Sequence, residues 1–349
     1  MTIGLLIGIG LLFLVSRFAN LSTSFQTMQE HLVTPRGILL ALLSGVAFLL
    51  AFSIRGVRWK LFLHPVVGNR VSTFKAIQLF LVSIFLNFLL PIQGGEVAKC
   101  LMIKRITGIP ASRTLPTVTM DRSLDLLPAL FIITIVPLLG VHMDIKLWVV
   151  LGLVIGLLIS LILFIGLAVW KRASAITFLQ KITKMLPKAI GDKIEGFATG
   201  FVDSLLMCAS RPRIFFPAIL LTCVALTFDG MFAMLAFWTI GYYIPLGTAI
   251  FGYTVYNMFN ILPTPPGQVG SNEAIGLLVF GGLLHLSPNS IIAMFVFSHP
   301  WAALIMSSTG ITCLSALELS ITKIMKQPSE DSDMESEDSL FSEKKELPV

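Results

Sequence analysis

The sequence predicts an all-α polytopic integral membrane protein. About six spanning helices and two re-entrant helical hairpins, eight hydrophobic segments in all, form an inverted repeat. Three observations predict this. Of the 349 residues, 55% are hydrophobic and 13% charged, and the mean hydropathy is +0.88; a water-soluble domain of this length needs far more charged surface. Apolar runs long enough to cross a bilayer recur along the chain. Two hydrophobic stretches are interrupted in the same way, by Pro, then Gly, then a Glu that opens a new helical stretch.

The elements follow in chain order. A first apolar run, 3–15, is short. It lacks a basic leader and a small-x-small cleavage site, so it is expected to remain as an uncleaved helix. Full-length apolar runs occupy 37–54, 116–140, 146–170, 213–240 and 290–317. The first break lies in 87–96, with Pro91, Gly94, Gly95 and Glu96. The second lies in 260–273, with Pro263, Pro265, Pro266, Gly267, Gly270 and Glu273. Proline removes a backbone donor and ends a helix, and glycine permits the sharp turn that follows. Broken helices at membrane depth are tolerated only where protein or a cavity surrounds them. Paired breaks in two halves of a membrane protein point to a transport site. The tail 328–349 has net charge −6, so residues 1–327 carry +12 against the chain total of +6. With little apolar content the tail is expected to be disordered and cytoplasmic.

Lysine and arginine set the expected orientation. Arg55, Arg58, Lys60, Arg70 and Lys75 cluster in 55–75, and a second basic cluster fills 171–213, so both regions are expected to be cytoplasmic. The connections 141–146 and 241–247 are poor in basic residues and are expected outside. A full crossing at 75–90 would put Lys99, Lys104, Arg105 and Arg113 on the wrong side. A hairpin that enters and leaves from the cytoplasm resolves this. A second hairpin over 248–285, entering from outside, makes the two halves inverted copies with both termini cytoplasmic. The alternative is eight full spans with 96–110 as an interfacial amphipathic helix, since Val97, Ala98, Leu101, Met102, Ile106 and Ile109 form an apolar stripe.

Charges inside the runs are the candidate functional groups. Asp121, Arg122 and Asp125 interrupt 116–140, and charges within a spanning helix usually face protein or a water-filled cavity. Arg122 and Asp125 share one face. They are either a self-neutralising pair near the interface or a site in which the arginine fork grips an anionic headgroup. Glu96 and Glu273 complement helix dipoles; together, after matching breaks, they also suggest an anion site with a proton-dependent acid. Lys99 is placed to pair with Glu96. Asp229 is either a relay or an interhelical hydrogen-bonding group, and His299 before Pro300 is expected to be structural. Cys100, Cys208, Cys223 and Cys313 form no metal-binding or disulfide pattern. No catalytic, nucleotide-binding or metal motif is visible. The chain is therefore expected to be no enzyme, with no cofactor, no metal and no nucleic-acid partner.

These segments resemble the flippase-like transmembrane domain of lysylphosphatidylglycerol synthases. The resemblance is carried by Asn87, Pro91, Gly95, Glu96 and Lys99, by Asp121-Arg122-Ser123-Leu124-Asp125, and by Pro263-Thr264-Pro265-Pro266-Gly267 with Gly270 and Glu273. It implies a flippase-like domain over 1–327 in a bacterial or archaeal-type plasma membrane; the repeat halves expected from the charge pattern are about 1–140 and 146–320. It implies movement of an anionic lipid or a polyprenyl phosphate-type lipid between leaflets. Aminoacyl transfer belongs to a soluble domain of the two-domain synthases and is not implied here. The substrate-binding residues expected on this basis are Asn87, Gly95, Glu96, Lys99, Arg122, Asp125, Asn260, Gly267, Gly270 and Glu273. The alternative is a non-transporting membrane partner of an envelope-biosynthesis enzyme.

Overall fold

The computed structural model describes residues 21–89, 94–134, 212–259, 266–268 and 270–319, with a few isolated positions besides. The expected segments at 3–15, 146–170 and 171–211, the turn residue Pro91, the residues Asn260, Pro263 and Pro265, and the tail 328–349 lie outside the described residues. Every described element is helical, and no strand occurs among them.

Nine helices are followed here: α1 (Leu21–Leu32), α2 (Pro35–Val67), α3 (Thr73–Leu89), α4 (Gly94–Thr107), α5 (Ala111–Thr134), α6 (Pro212–Thr239), α7 (Leu246–Met258), α8 (Ser271–Gly276) and α9 (Pro288–Ala316). A 3-10 turn, Pro266–Gln268, precedes α8, and a π-helical stretch, Leu277–Leu283, continues it. Three of these helices, beginning near 35, 213 and 288, are long and apolar enough to cross a membrane. Their outer faces carry large apolar side chains, among them Leu39, Leu42, Val46, Phe216, Leu220 and Ile311. That arrangement suits lipid and would be costly in water. The chain is thus a multi-pass membrane protein.

Two departures from the sequence reading stand out. α1 was not anticipated, because its polar composition hides a packed face; Ser24 is buried and donates to the Asn289 carbonyl at the start of α9. α2 does not end at 54. It continues without interruption to Val67, carrying Arg55, Arg58 and Lys60 inside the helix. These three residues are buried rather than set in a connecting loop.

Two packed centres share the long helices. One joins the later part of α2 to α3 and α4 through Trp59, Leu63, Phe80, Phe85, Met102 and Ile103. The other joins α6, α7, the π stretch and α9 through Phe237, Tyr256, Phe280, Ile291 and Phe295. α2 and α6 run against each other between them. Each of these helices uses a glycine to admit its neighbour: a Cβ on Gly56 would lie 2.8 Å from Ile77 Cα of α3, and one on Gly230 would lie 2.7 Å from Ile250 Cα of α7.

The helix starts also repeat. Pro35 and Pro212, Gly94 and Ser271, and Ala111 and Pro288 open corresponding helices, each pair 177 positions apart. α3 has 17 residues and α4 has 14. At about 1.5 Å per residue, both are shorter than a hydrocarbon core of about 30 Å. They pack on one another across the first break.

Candidate functional site

α4 begins immediately after the first break, and its start is built by side chains of α3. Asn87 accepts from the Gly95 N–H at 2.8 Å and donates to Glu96 Oε1 at 3.1 Å. Ser83 donates to the Gly95 carbonyl at 2.9 Å. An added Cβ at Gly95 would collide with the Ser83 carbonyl oxygen, so glycine is required for this approach. Glu96 is thereby fixed in the first turn of α4, where a carboxylate complements the helix dipole.

Around Glu96 the helices deliver four bases and four acids. Lys99 pairs with Glu96 at 3.0 Å and approaches Asp121 at 3.9 Å. Its ammonium lies 3.9 Å from the centre of the Phe80 ring, a cation–π contact. Arg122 meets Glu96 directly and Asp125 at 3.7 Å. Arg58 enters from α2. It donates to Asp121 at 2.8 Å, to Asp125 at 2.7 Å and to Thr222 of α6 at 2.8 Å. Arg55, one turn earlier, makes a two-pronged pair with Asp229 of α6. Among the described residues the network therefore contains Arg55, Arg58, Lys99 and Arg122 against Glu96, Asp121, Asp125 and Asp229, formally neutral. Neutrality matters, because an unpaired buried charge is strongly destabilising.

The network has a closed end and an open end. The side chains of Arg58 and Lys99 are fully enclosed and Asp121 is 1% exposed, whereas Asp125 is 24% and Arg122 39% exposed. Arg122 is thus the most exposed cation of the network. Among the described residues its buried Nε has no hydrogen-bond acceptor.

The second break forms a separate cluster. Glu273 Oε2 accepts from the Gly270 N–H at 2.8 Å and holds the start of α8. Gly267 and Gly270 have positive φ, +69° and +80°, which glycine adopts without strain. His299 of α9 bridges Glu273 Oε1 at 3.0 Å and the Gly267 carbonyl at 2.8 Å. The Pro266–Gln268 turn packs on α3, and Phe88 of α3 meets the His299 ring edge-on at 6.4 Å.

Of the expected site residues, Asn87, Gly95, Glu96, Lys99, Arg122 and Asp125 converge in the first cluster. Asp229 joins it through Arg55. Gly267, Gly270 and Glu273 converge in the second. Gly94 opens α4 and Pro266 opens the 3-10 turn. Arg55, Arg58 and Thr222 were missed, and His299 was expected to serve only a kink. The overlooked signal was charge balance: Asp229 stands alone in its run and needs a cation from another helix. Lys99 also departs from the apolar stripe expected on α4, since it is enclosed while Val97 is 57% exposed. Among the described residues no group of three or more His, Cys, Asp or Glu side chains converges to hold a metal.

Comparison with known proteins matches residues 1–306 to the family described as the lysylphosphatidylglycerol synthase TM region. The chain is 21% identical over 328 residues to a protein named glycosyltransferase AglD from Haloferax volcanii, covering 84% of this chain and 51% of that protein. It thus spans about half the length of that relative. It is 23% identical over 245 residues to a UPF0104 membrane protein from Methanothermobacter thermautotrophicus, covering 65% of this chain and 70% of that protein. No solved structure matches the chain.

Proposed function

The chain belongs to the lysylphosphatidylglycerol synthase TM-region family, and on that premise we propose that it is a flippase. It moves an anionic lipid, or a lipid-linked substrate of the polyprenyl phosphate type, between membrane leaflets. The observation that carries this reading is the partly exposed Arg122 at the open end of a neutral charge network whose other cations are enclosed. A phosphate oxygen competes with Glu96 for the guanidinium fork, which suits phosphate because it donates two bonds at once. Glu96 keeps Lys99 and Asn87 as partners when displaced. The lipid tail remains in the apolar surroundings while the headgroup sits on the network.

The reading gives the chain no catalytic step of its own; the site offers charge and hydrogen bonds. It includes six crossings and two re-entrant hairpins related as inverted repeats, the arrangement used for alternating access. The short α3 and α4, the matching breaks and the offset of 177 shared by three of the four helix pairs, against 173 for α3 and α7, support this. Glu96 meets Arg122, and Glu273 meets His299, each 26 residues further on.

Leaflet-resolved transport of a fluorescent anionic phospholipid and of a polyprenyl phosphate, in proteoliposomes, tests the proposal. Wild type should scramble or pump at least one. Arg122→Ala should lower the rate at least about tenfold, equivalent to about 1.4 kcal/mol. Arg122→Lys should restore only part of it, because an ammonium lacks the fork. A second reading is favoured by one observation: a relative named as a glycosyltransferase contains about twice this length. On that reading the chain is a non-transporting partner of an envelope enzyme. Folded wild-type protein that moves neither lipid would support it.

A further inference from the structure

We propose that Glu273, His299 and the Gly267 carbonyl form a one-proton binding site that clasps the second broken segment to α9 when occupied and releases it when empty. The argument is one of donors and acceptors. His299 Nε2 lies 2.8 Å from the Gly267 carbonyl oxygen, and Nδ1 lies 3.0 Å from Glu273 Oε1. A carbonyl only accepts, so Nε2 carries a hydrogen. A carboxylate also only accepts, so Nδ1 must carry one too, yet a neutral imidazole has a single N–H. Both bonds therefore coexist only with one further proton. It sits either on Nδ1, giving imidazolium against carboxylate, or on Oε1, giving a carboxyl group that donates to bare Nδ1.

Loss of that proton to water breaks one N–H or O–H bond and leaves its electron pair on the nitrogen or oxygen. Two acceptors then face each other, and one of the two contacts opens. The His299 and Glu273 side chains are only 12% and 11% exposed, so water cannot readily replace the lost bond. Glu273 is also tied to the start of α8 through Gly270. Either opening therefore frees the Pro266–Gln268 turn or α8 from α9.

Among the described residues the surroundings leave this proton to the triad. α8 brings Glu273, α7 brings Tyr256 against Phe295 of α9, and α3 brings the Phe88 ring. Asp229 of α6 is held by Arg55 of α2. On α1, Glu30 accepts from Gln26 and His31 lies beside Gly241. Arg36 of α2 lies over Tyr243, and Lys75 is at the opposite end of α3 from Phe88. The corresponding position in the first half, 177 residues earlier, is Arg122 against Glu96. That pair carries a permanent cation, whereas histidine titrates near neutrality. Phe88 adjoins Asn87, which holds Gly95 and Glu96. The proton is thus one residue removed from the network that meets the substrate. This consequence for transport rests on the flippase reading; the proton site itself does not.

The test uses the full-length protein in lipid nanodiscs with 15N-labelled histidine. Its five histidines give separate imidazole signals, and His299 is the one lost in His299→Gln. Its signal should titrate between about pH 5 and pH 9. Glu273→Gln, which keeps an acceptor for Gly270, should shift that midpoint by about one pH unit or more, a tenfold change in proton affinity. If His299→Gln does not fold, the one signal displaced by Glu273→Gln identifies the residue. A His299 signal constant over that range, or a midpoint unmoved by Glu273→Gln, overturns the site. In proteoliposomes the wild-type rate should vary with pH by up to roughly tenfold per unit, the limit for one proton. His299→Arg should flatten that profile. An unchanged profile overturns the coupling to transport, and absence of transport in the wild type overturns the flippase reading while the nanodisc result still decides the proton site.

Discussion

Arg55 and Asp229 show what a buried charge demands of its partner. Both are enclosed, at 10% and 6% side-chain exposure, and they bond across α2 and α6. Asp229→Ala removes both hydrogen bonds of the guanidinium and leaves it only Asp125, at 3.8 Å, and should destabilise the fold by about 3–5 kcal/mol. The double change Arg55→Met with Asp229→Leu should recover most of that, because replacing both members with apolar groups removes the unmet charge. Thermal unfolding in detergent reads both; a small effect of Asp229→Ala alone would mean that the pair contributes little. Arg122 behaves differently because it is exposed at the mouth. Arg122→Ala should destabilise less than Asp229→Ala, because Glu96 keeps Lys99 and Asn87 as partners, while lowering transport; Arg172→Ala, in the basic stretch 171–213, should change neither. Asp121, Arg122 and Asp125 were legible in the sequence because charges inside an apolar run are expensive. Arg55 and Arg58 were not, because basic residues at the end of an apolar run look the same whether they set topology or enter a buried network.

The joint between α3 and α4 is the element on which the first site depends. A Cβ at Gly95 would collide with the Ser83 carbonyl and lie 2.9 Å from Asn87 Cγ. Gly95→Ala should therefore destabilise by about 1–3 kcal/mol through overpacking. Gly282→Ala is the control, since nothing lies within 4 Å of its Cβ position. It should be neutral, or stabilising by up to about 1 kcal/mol, the usual gain from replacing a helical glycine. Equal losses in the two variants, measured by thermal unfolding, would show that backbone freedom rather than close approach is what Gly95 supplies. Three long apolar helices and the helix starts that carry Glu96 and Glu273 were legible, since length, hydropathy and Pro/Gly placement are local properties. α1 was not, because its role lies in contacts such as Ser24 with the Asn289 carbonyl, 265 residues away.

For the whole molecule, the inverted arrangement makes a side-specific prediction. A cysteine at position 104 should react with a membrane-impermeant reagent from the cytoplasm and one at 286 from outside. Labelling of both from one side would rule out opposed hairpins. Removal of 328–349 should leave folding and transport intact, because the segment has eight acidic residues against two lysines and too little apolar surface to pack. Comparing thermal stability and transport of the truncated and full chains at low and high salt decides this. A large, salt-insensitive loss on truncation would show that the tail is a packed part of the fold, since docking through exposed charges would weaken with salt.

The sequence by itself determined the membrane class, three long apolar helices and the acid in the first turn of α4 and of α8. These follow from composition and from what Pro, Gly and Glu do within a few residues of themselves. The local pairs Lys99 with Glu96 and Arg122 with Asp125 were also legible, but only the tertiary structure decided the pairings between helices. Arg58 reaches Asp121 and Asp125 across 63 and 67 residues, Arg55 reaches Asp229 across 174, and His299 reaches Glu273 across 26. In water, an amphipathic stripe tells which face of a helix turns inward. In lipid the outer face is as apolar as the inner one. The pattern along the chain therefore leaves the rotation of each helix open, and side-chain pairing between packed helices settles it.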